Sequence, residues 1–77
     1  MALIRHFSRQ NRDGYRLHDE IDASYYVFEG GGRILLQIDT HGWASREKPG
    51  KQSQTIQLDE LGARQLFEIL KREFRFE

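Results

Sequence analysis

Seventy-seven residues without a cysteine leave room for one domain and one core, and exclude a disulfide framework, a thiolate metal site and a thiol nucleophile. Twelve Lys and Arg balance twelve Asp and Glu, so no bulk charge draws the chain to a polyanion or to a membrane surface. A chain this short buries only about 60–65% of the surface its unfolded form exposes, so self-association would add to its stability.

Met1 to Arg5 carries no apolar run of signal-peptide length, Ala2 stands where myristoylation requires glycine, and no later stretch could span a bilayer. A soluble, cytoplasmic protein is expected. The charge alternates along the chain. Arg5, Arg9, Arg12 and Arg16 stand against Asp13, then Asp19, Glu20, Asp22 and Glu29 reverse the sign, and Arg46, Lys48 and Lys51 outweigh Asp39 and Glu47. That alternation fits a solvated surface of mixed sign, or two basic stretches gathered by folding into one patch facing a polyanion.

In chain order, residues 2–8 form the first expected strand. Asn11-Arg12-Asp13-Gly14 is turn chemistry, and residues 15–19 are a further strand candidate. Residues 24–29 are rich in the aromatic and β-branched side chains that suit a pleated surface. Gly30-Gly31-Gly32 then supplies a tight hairpin into the strand 33–39. Residues 40–52 read as a long loop with Pro49-Gly50 at a turn. A strand over 53–58 follows, with polar and apolar residues alternating.

The spacing of Ala63, Leu66, Phe67, Leu70 and Phe74 predicts an amphipathic helix over 60–74. Asp59 is its expected N-cap, with Glu60–Arg64 and Glu68–Arg72 as supporting pairs. The fold class is therefore α+β: a four- or five-stranded antiparallel sheet with one C-terminal helix packed on one face. Tyr26, Phe28, Ile34, Leu36 and Ile38 are expected on one side of the sheet, with Tyr25, Val27 and Leu35 on the other. A single helix leaves one sheet face open.

Little of the sequence points to catalysis. The three histidines, His6, His18 and His41, sit beside acids in Asp39-Thr40-His41 and His18-Asp19-Glu20, short of the convergent ligands a metal requires. No serine has the glycine context of a nucleophile elbow. Gly30-Gly31-Gly32-Arg33 precedes a strand, so it offers no helix N-terminus to a phosphate, and Gly50-Lys51-Gln52 does not match a P-loop. No catalytic residue, metal or cofactor is expected.

The run from Tyr26 onward resembles the single-stranded-DNA-binding domain of the positive-cofactor type of transcriptional coactivator and its short bacterial relatives, over roughly residues 26–74. The likeness rests on an aromatic strand turning through glycine into Gly32-Arg33-Ile34-Leu35-Leu36-Gln37-Ile38-Asp39. Trp43 follows in the loop, then Lys48-Pro49-Gly50-Lys51 leading into Thr55-Ile56-Gln57-Leu58, and the helix from Asp59. The resemblance implies a homodimer joined through the helices, here through Leu66, Ile69, Leu70 and Phe74, whose curved sheets hold single strands. Trp43, Lys48 and Lys51 match the family pattern. Arg33 and Arg46 join Lys48 and Lys51 as phosphate contacts by type and position, and strand parity adds Tyr25 beside Trp43 for base stacking. Arg5, Arg9, Arg12 and Arg16 would extend the patch. Trp43 could equally plug the loop onto the sheet edge, and Tyr25 could serve a dimer contact.

The function expected from these features is a non-enzymatic module for single-stranded nucleic acid. The alternative is a protein-binding adaptor or inhibitor that uses the open sheet face or an edge strand.

Overall fold

A computed structural model describes residues 1–41 and 54–77 of the chain. The elements are β1 (Ala2–Ile4), β2 (Asp22–Gly30), β3 (Arg33–His41), β4 (Gln54–Leu58) and α1 (Glu60–Phe74). They form a small α+β fold, one four-stranded sheet in the order β1-β4-β3-β2 followed by the C-terminal helix.

The sheet is mixed, where an antiparallel one was expected. β2 and β3 form an antiparallel hairpin and β3 pairs antiparallel with β4, but β1 runs parallel to β4, with Ala2 opposite Ile56 and Ile4 opposite Leu58. β1 also stops short, and its boundary has a physical cause. Beyond Ile4 the backbone leaves the sheet for the helix, where the Gln65 side chain accepts from Phe7 N at 2.9 Å and donates to the Arg5 carbonyl at 3.0 Å. One glutamine amide thus gives residues 5–7 the pairing that another strand would have supplied. Residues 15–19 form no strand, and Tyr15 and Leu17 are almost fully exposed.

Gly30 pairs with Arg33 across a two-residue turn whose glycines, Gly31 and Gly32, both have positive φ. That is the backbone a tight hairpin of this twist demands. The turn fixes the register, and the register decides the faces. Tyr25 lies opposite Ile38, and Val27 opposite Leu36, so both share the face of Ile34, Leu36 and Ile38. Tyr26 pairs with Gln37 and Phe28 with Leu35, on the other face. Relative to β3, Tyr25 and Val27, like Tyr26 and Phe28, thus sit on the faces opposite to those that parity within each strand suggested, because parity alone cannot align two strands.

The helix runs over 60–74 as its periodicity predicts. Asp59, with extended backbone, caps it by accepting from Gly62 N at 2.9 Å, and Arg75 closes it in the left-handed region at φ 58°. It packs over β3 and β4. Gly62 touches the Ile4 backbone so closely that a Cβ there would run into the carbonyl oxygen. Leu58 is the one hydrophobic side chain that is buried among the described residues. The helix roofs only half of its sheet face.

Candidate nucleic-acid interface on the open sheet face

The face turned away from the helix carries a polar ladder between aromatic and apolar side chains. Gln37 lies opposite Gln57, and Asp39 opposite Thr55. Asp39 is buried, and its Oδ1 accepts from Thr55 Oγ1 at 2.8 Å and from Gln37 Nε2 at 3.0 Å. Gln57 Nε2 in turn donates to Gln37 Oε1 at 2.9 Å.

Asp39 Oδ1 accepts both of its bonds, and this sets the direction of the whole chain. Gln37 must turn its NH2 toward Asp39 and its oxygen toward Gln57, and Gln57 must then donate. Among the described residues this leaves Gln57 Oε1 as an open acceptor, and each amide keeps a second N–H outside the ladder. Asp39 and Thr55 are buried and Gln37 and Gln57 half-buried, so among the described residues these remaining donors and the acceptor belong to the two glutamines.

Beside it, Tyr26 and Phe28 stack with ring centroids 6.2 Å apart and an interplanar angle of 21°. Both rings are exposed, at 44% and 47%, because they stand on edge strand β2 with no helix above them. Flat, accessible rings next to amide groups can take the faces and the edges of unpaired bases. At the end of this face Ser24 Oγ and His41 Nε2 share a hydrogen bond of 2.9 Å, while His41 Nδ1 is buried without a partner among the described residues.

The residues proposed from sequence are only partly gathered here. Tyr25 is exposed, but on the helix side of the sheet. Trp43, Arg46, Lys48 and Lys51 lie outside the described residues. Arg33 and Arg5 both turn to Asp59 Oδ2, at 3.4 Å and 2.7 Å. Arg9 pairs with Glu73 at 2.8 Å, so these three cations already have an internal carboxylate. Arg12 and Arg16 are exposed and form no ion pair among the described residues. Of the helix residues, Leu66 and Ile69 are half-buried against their own chain, whereas Leu70 and Phe74 are exposed.

Tyr26, Phe28, Gln37 and Gln57 were not singled out by sequence reasoning. A signal for the amides was present: Gln37 and Asp39 in one strand, and Thr55 and Gln57 in the next, interrupt apolar runs at alternate positions, which marks a polar sheet face.

Asp59 is the main electrostatic knot of the described residues. Its carboxyl is held below the usual carboxylate range first by the Gly62 N–H, with Arg5 and Arg33 adding to the effect and burial opposing it. No cluster of three or more metal-ligating side chains occurs among the described residues, and no helix there is long and apolar enough to cross a membrane. Comparison with family models, curated proteins and solved structures finds no match for this chain.

Proposed function

We propose that this chain is a small non-enzymatic module that binds single-stranded nucleic acid on the sheet face away from its helix. The observation that carries the reading is the exposed Tyr26–Phe28 stack beside the Gln37–Gln57 ladder. Stacking on aromatic rings is tolerant of sequence because every base has a π face, and it contributes about 1–3 kcal/mol per base. Side-chain amides with donors and an acceptor suit the edges of bases that have no pairing partner.

Phosphate neutralisation falls to Arg46, Lys48 and Lys51, with Arg12 and Arg16. The neutral overall charge makes each of these count, since counterion release provides the sequence-independent part of the affinity. The resemblance of residues 26–74 to the positive-cofactor-type domain would bring the same class of ligand, and that class is proposed here. Cytoplasmic location fits that role.

The test is titration of a fluorescent single-stranded oligonucleotide at low and at moderate salt, followed by anisotropy. Micromolar binding that weakens steeply with salt, and is lost in Lys48→Glu/Lys51→Glu, supports the proposal. No binding at low salt overturns it.

A second reading has one observation in its favour. β2 is a nine-residue strand at the edge of the sheet, with one row of backbone N–H and C=O groups that no other strand among the described residues pairs. An extended segment of a partner protein could add to that edge. In that case the lysine substitutions would leave binding to the partner intact, and β2 would be protected from amide exchange in the complex.

A further inference from the structure

Asp59 receives two guanidinium groups on one oxygen. Its Oδ1 accepts from Gly62 N at 2.9 Å, so Arg5 Nε at 2.7 Å and Arg33 Nη2 at 3.4 Å both converge on Oδ2. Two positive charges meet one negative charge, and the cluster keeps a positive charge in excess. Both arginine side chains are more than half exposed, and each forms only this one ion pair among the described residues. Each guanidinium therefore has further N–H donors for an incoming anion.

The arginine pair stands on the rim of a groove of about 620 Å³ between the helix and the sheet. Ile34, Leu36 and Leu58 form its floor, and Leu61 and Ala63 form its helix wall. Ile34 and Leu61 are 59% and 50% exposed, so the groove shows apolar surface that the chain itself leaves bare. Glu60 also borders it, but its carboxylate is already matched by Arg64 at 2.9 Å. A volume of this size falls in the range of about 300–1,000 Å³ that small organic ligands occupy.

We propose that the groove binds a free aliphatic carboxylate, with its alkyl chain on Ile34, Leu36, Leu58, Leu61 and Ala63 and its head group at Arg5 and Arg33. The site lies on the helix side of the sheet and is independent of the face assigned to nucleic acid.

Two features select this ligand. The first is charge. One carboxylate neutralises the excess of the Arg5–Arg33–Asp59 cluster, and the planar guanidinium fork matches the two oxygens of a carboxylate. The second is the chemistry of the floor. β3 lies between β4 and β2 and pairs its backbone with both, so the groove meets side chains there and no free strand edge. A peptide lying on that floor would bury its own N–H and C=O groups without partners. An alkyl chain has none to satisfy.

The test is titration of the whole, ¹⁵N-labelled chain with octanoate, decanoate and dodecanoate below their micelle concentrations, followed by amide chemical shifts. Saturable shifts are expected at Ile34, Leu36, Leu61 and Ala63, with affinity rising about fourfold per added methylene. Decanol, which has the chain of decanoate without the charge, should bind about tenfold or more weakly than decanoate. Arg33→Gln should lower the affinity for dodecanoate by about tenfold or more. Its fold should persist, because Arg5, the closer partner, and Gly62 still hold Asp59. Ala63→Phe should fill the groove and abolish binding.

No saturable shift at these residues overturns the proposal. So does equal affinity for the three chain lengths, equal affinity for decanol and decanoate, or an Arg33→Gln variant that binds like the parent. Binding to vesicles of an anionic phospholipid without binding to free dodecanoate also overturns it, since the ligand is then a membrane surface. Should Ala63→Phe unfold, Arg33→Gln and the decanol comparison decide.

Discussion

Arg5 Nε donates to Asp59 Oδ2 at 2.7 Å, joining the residue that follows β1 to the residue that caps the helix. The same oxygen takes Arg33 at 3.4 Å, and the other carboxylate oxygen takes Gly62 N at 2.9 Å. One side chain thus ties together the end of β1, the start of β3 and the first turn of α1.

Acid should loosen that knot first. The Asp59 carboxyl is held below its ordinary value of 3.8, so between the folded and unfolded values the unfolded chain binds more protons. Its contribution to stability is complete above pH 3.8 and is lost as pH falls through the lower, folded value. Asp59→Asn should melt below the parent at pH 7, and the gap between the two should narrow under acid. Thermal midpoints measured across pH check both.

Gly62→Ala should destabilise the fold although alanine is the better helix former. The propensity gain is about 1 kcal/mol. The new Cβ meets the Ile4 carbonyl, a rigid backbone group that cannot swing aside. A net loss of about 1–3 kcal/mol is expected, read from the urea midpoint.

Asp39→Ala should cost about 1–3 kcal/mol, because Thr55 Oγ1 and Gln37 Nε2 lose a shared acceptor at a buried position. With the carboxylate gone, the direction of the ladder is no longer fixed. Gln37 and Gln57 should then sample both amide orientations, visible as broadening of their side-chain NH2 signals.

Tyr26→Ala and Phe28→Ala should each weaken binding of a single-stranded oligonucleotide by about 1–3 kcal/mol. Tyr25→Ala should leave the affinity per chain unchanged. Its ring projects from the opposite face, although it is the immediate neighbour in sequence. Anisotropy titration of the three variants tests the assignment of the faces directly.

The elements held together by local chemistry were legible in the sequence. The helix from Glu60 to Phe74, its Asp59 cap, the glycine hairpin and β4 follow from periodicity, capping and turn preferences, all expressed within a few residues. What escaped depends on partners far along the chain. Nothing near Ala2 announces that it will lie parallel to Ile56, and nothing near Arg33 announces that Asp59 will claim part of its charge. The faces of Tyr25 and Tyr26 turned on a register that only the paired strands fix. The candidate site lay between these cases: Gln37 and Gln57 carried a visible alternation, but their junction with the Tyr26–Phe28 stack needed three strands in place.

The parallel pairing of β1 with β4 also fixes an order of events during synthesis. Ala2 leaves the ribosome well ahead of Ile56, the residue it faces in the finished sheet. At roughly 5–20 residues per second, the first strand waits several seconds before its partner exists. Over that interval β2 and β3 can already close through their glycine turn, so the hairpin is the natural seed. The earliest-made strand is then among the last pieces to find its place, held by Asp59 and Gln65 from a part of the chain not yet translated when it emerged.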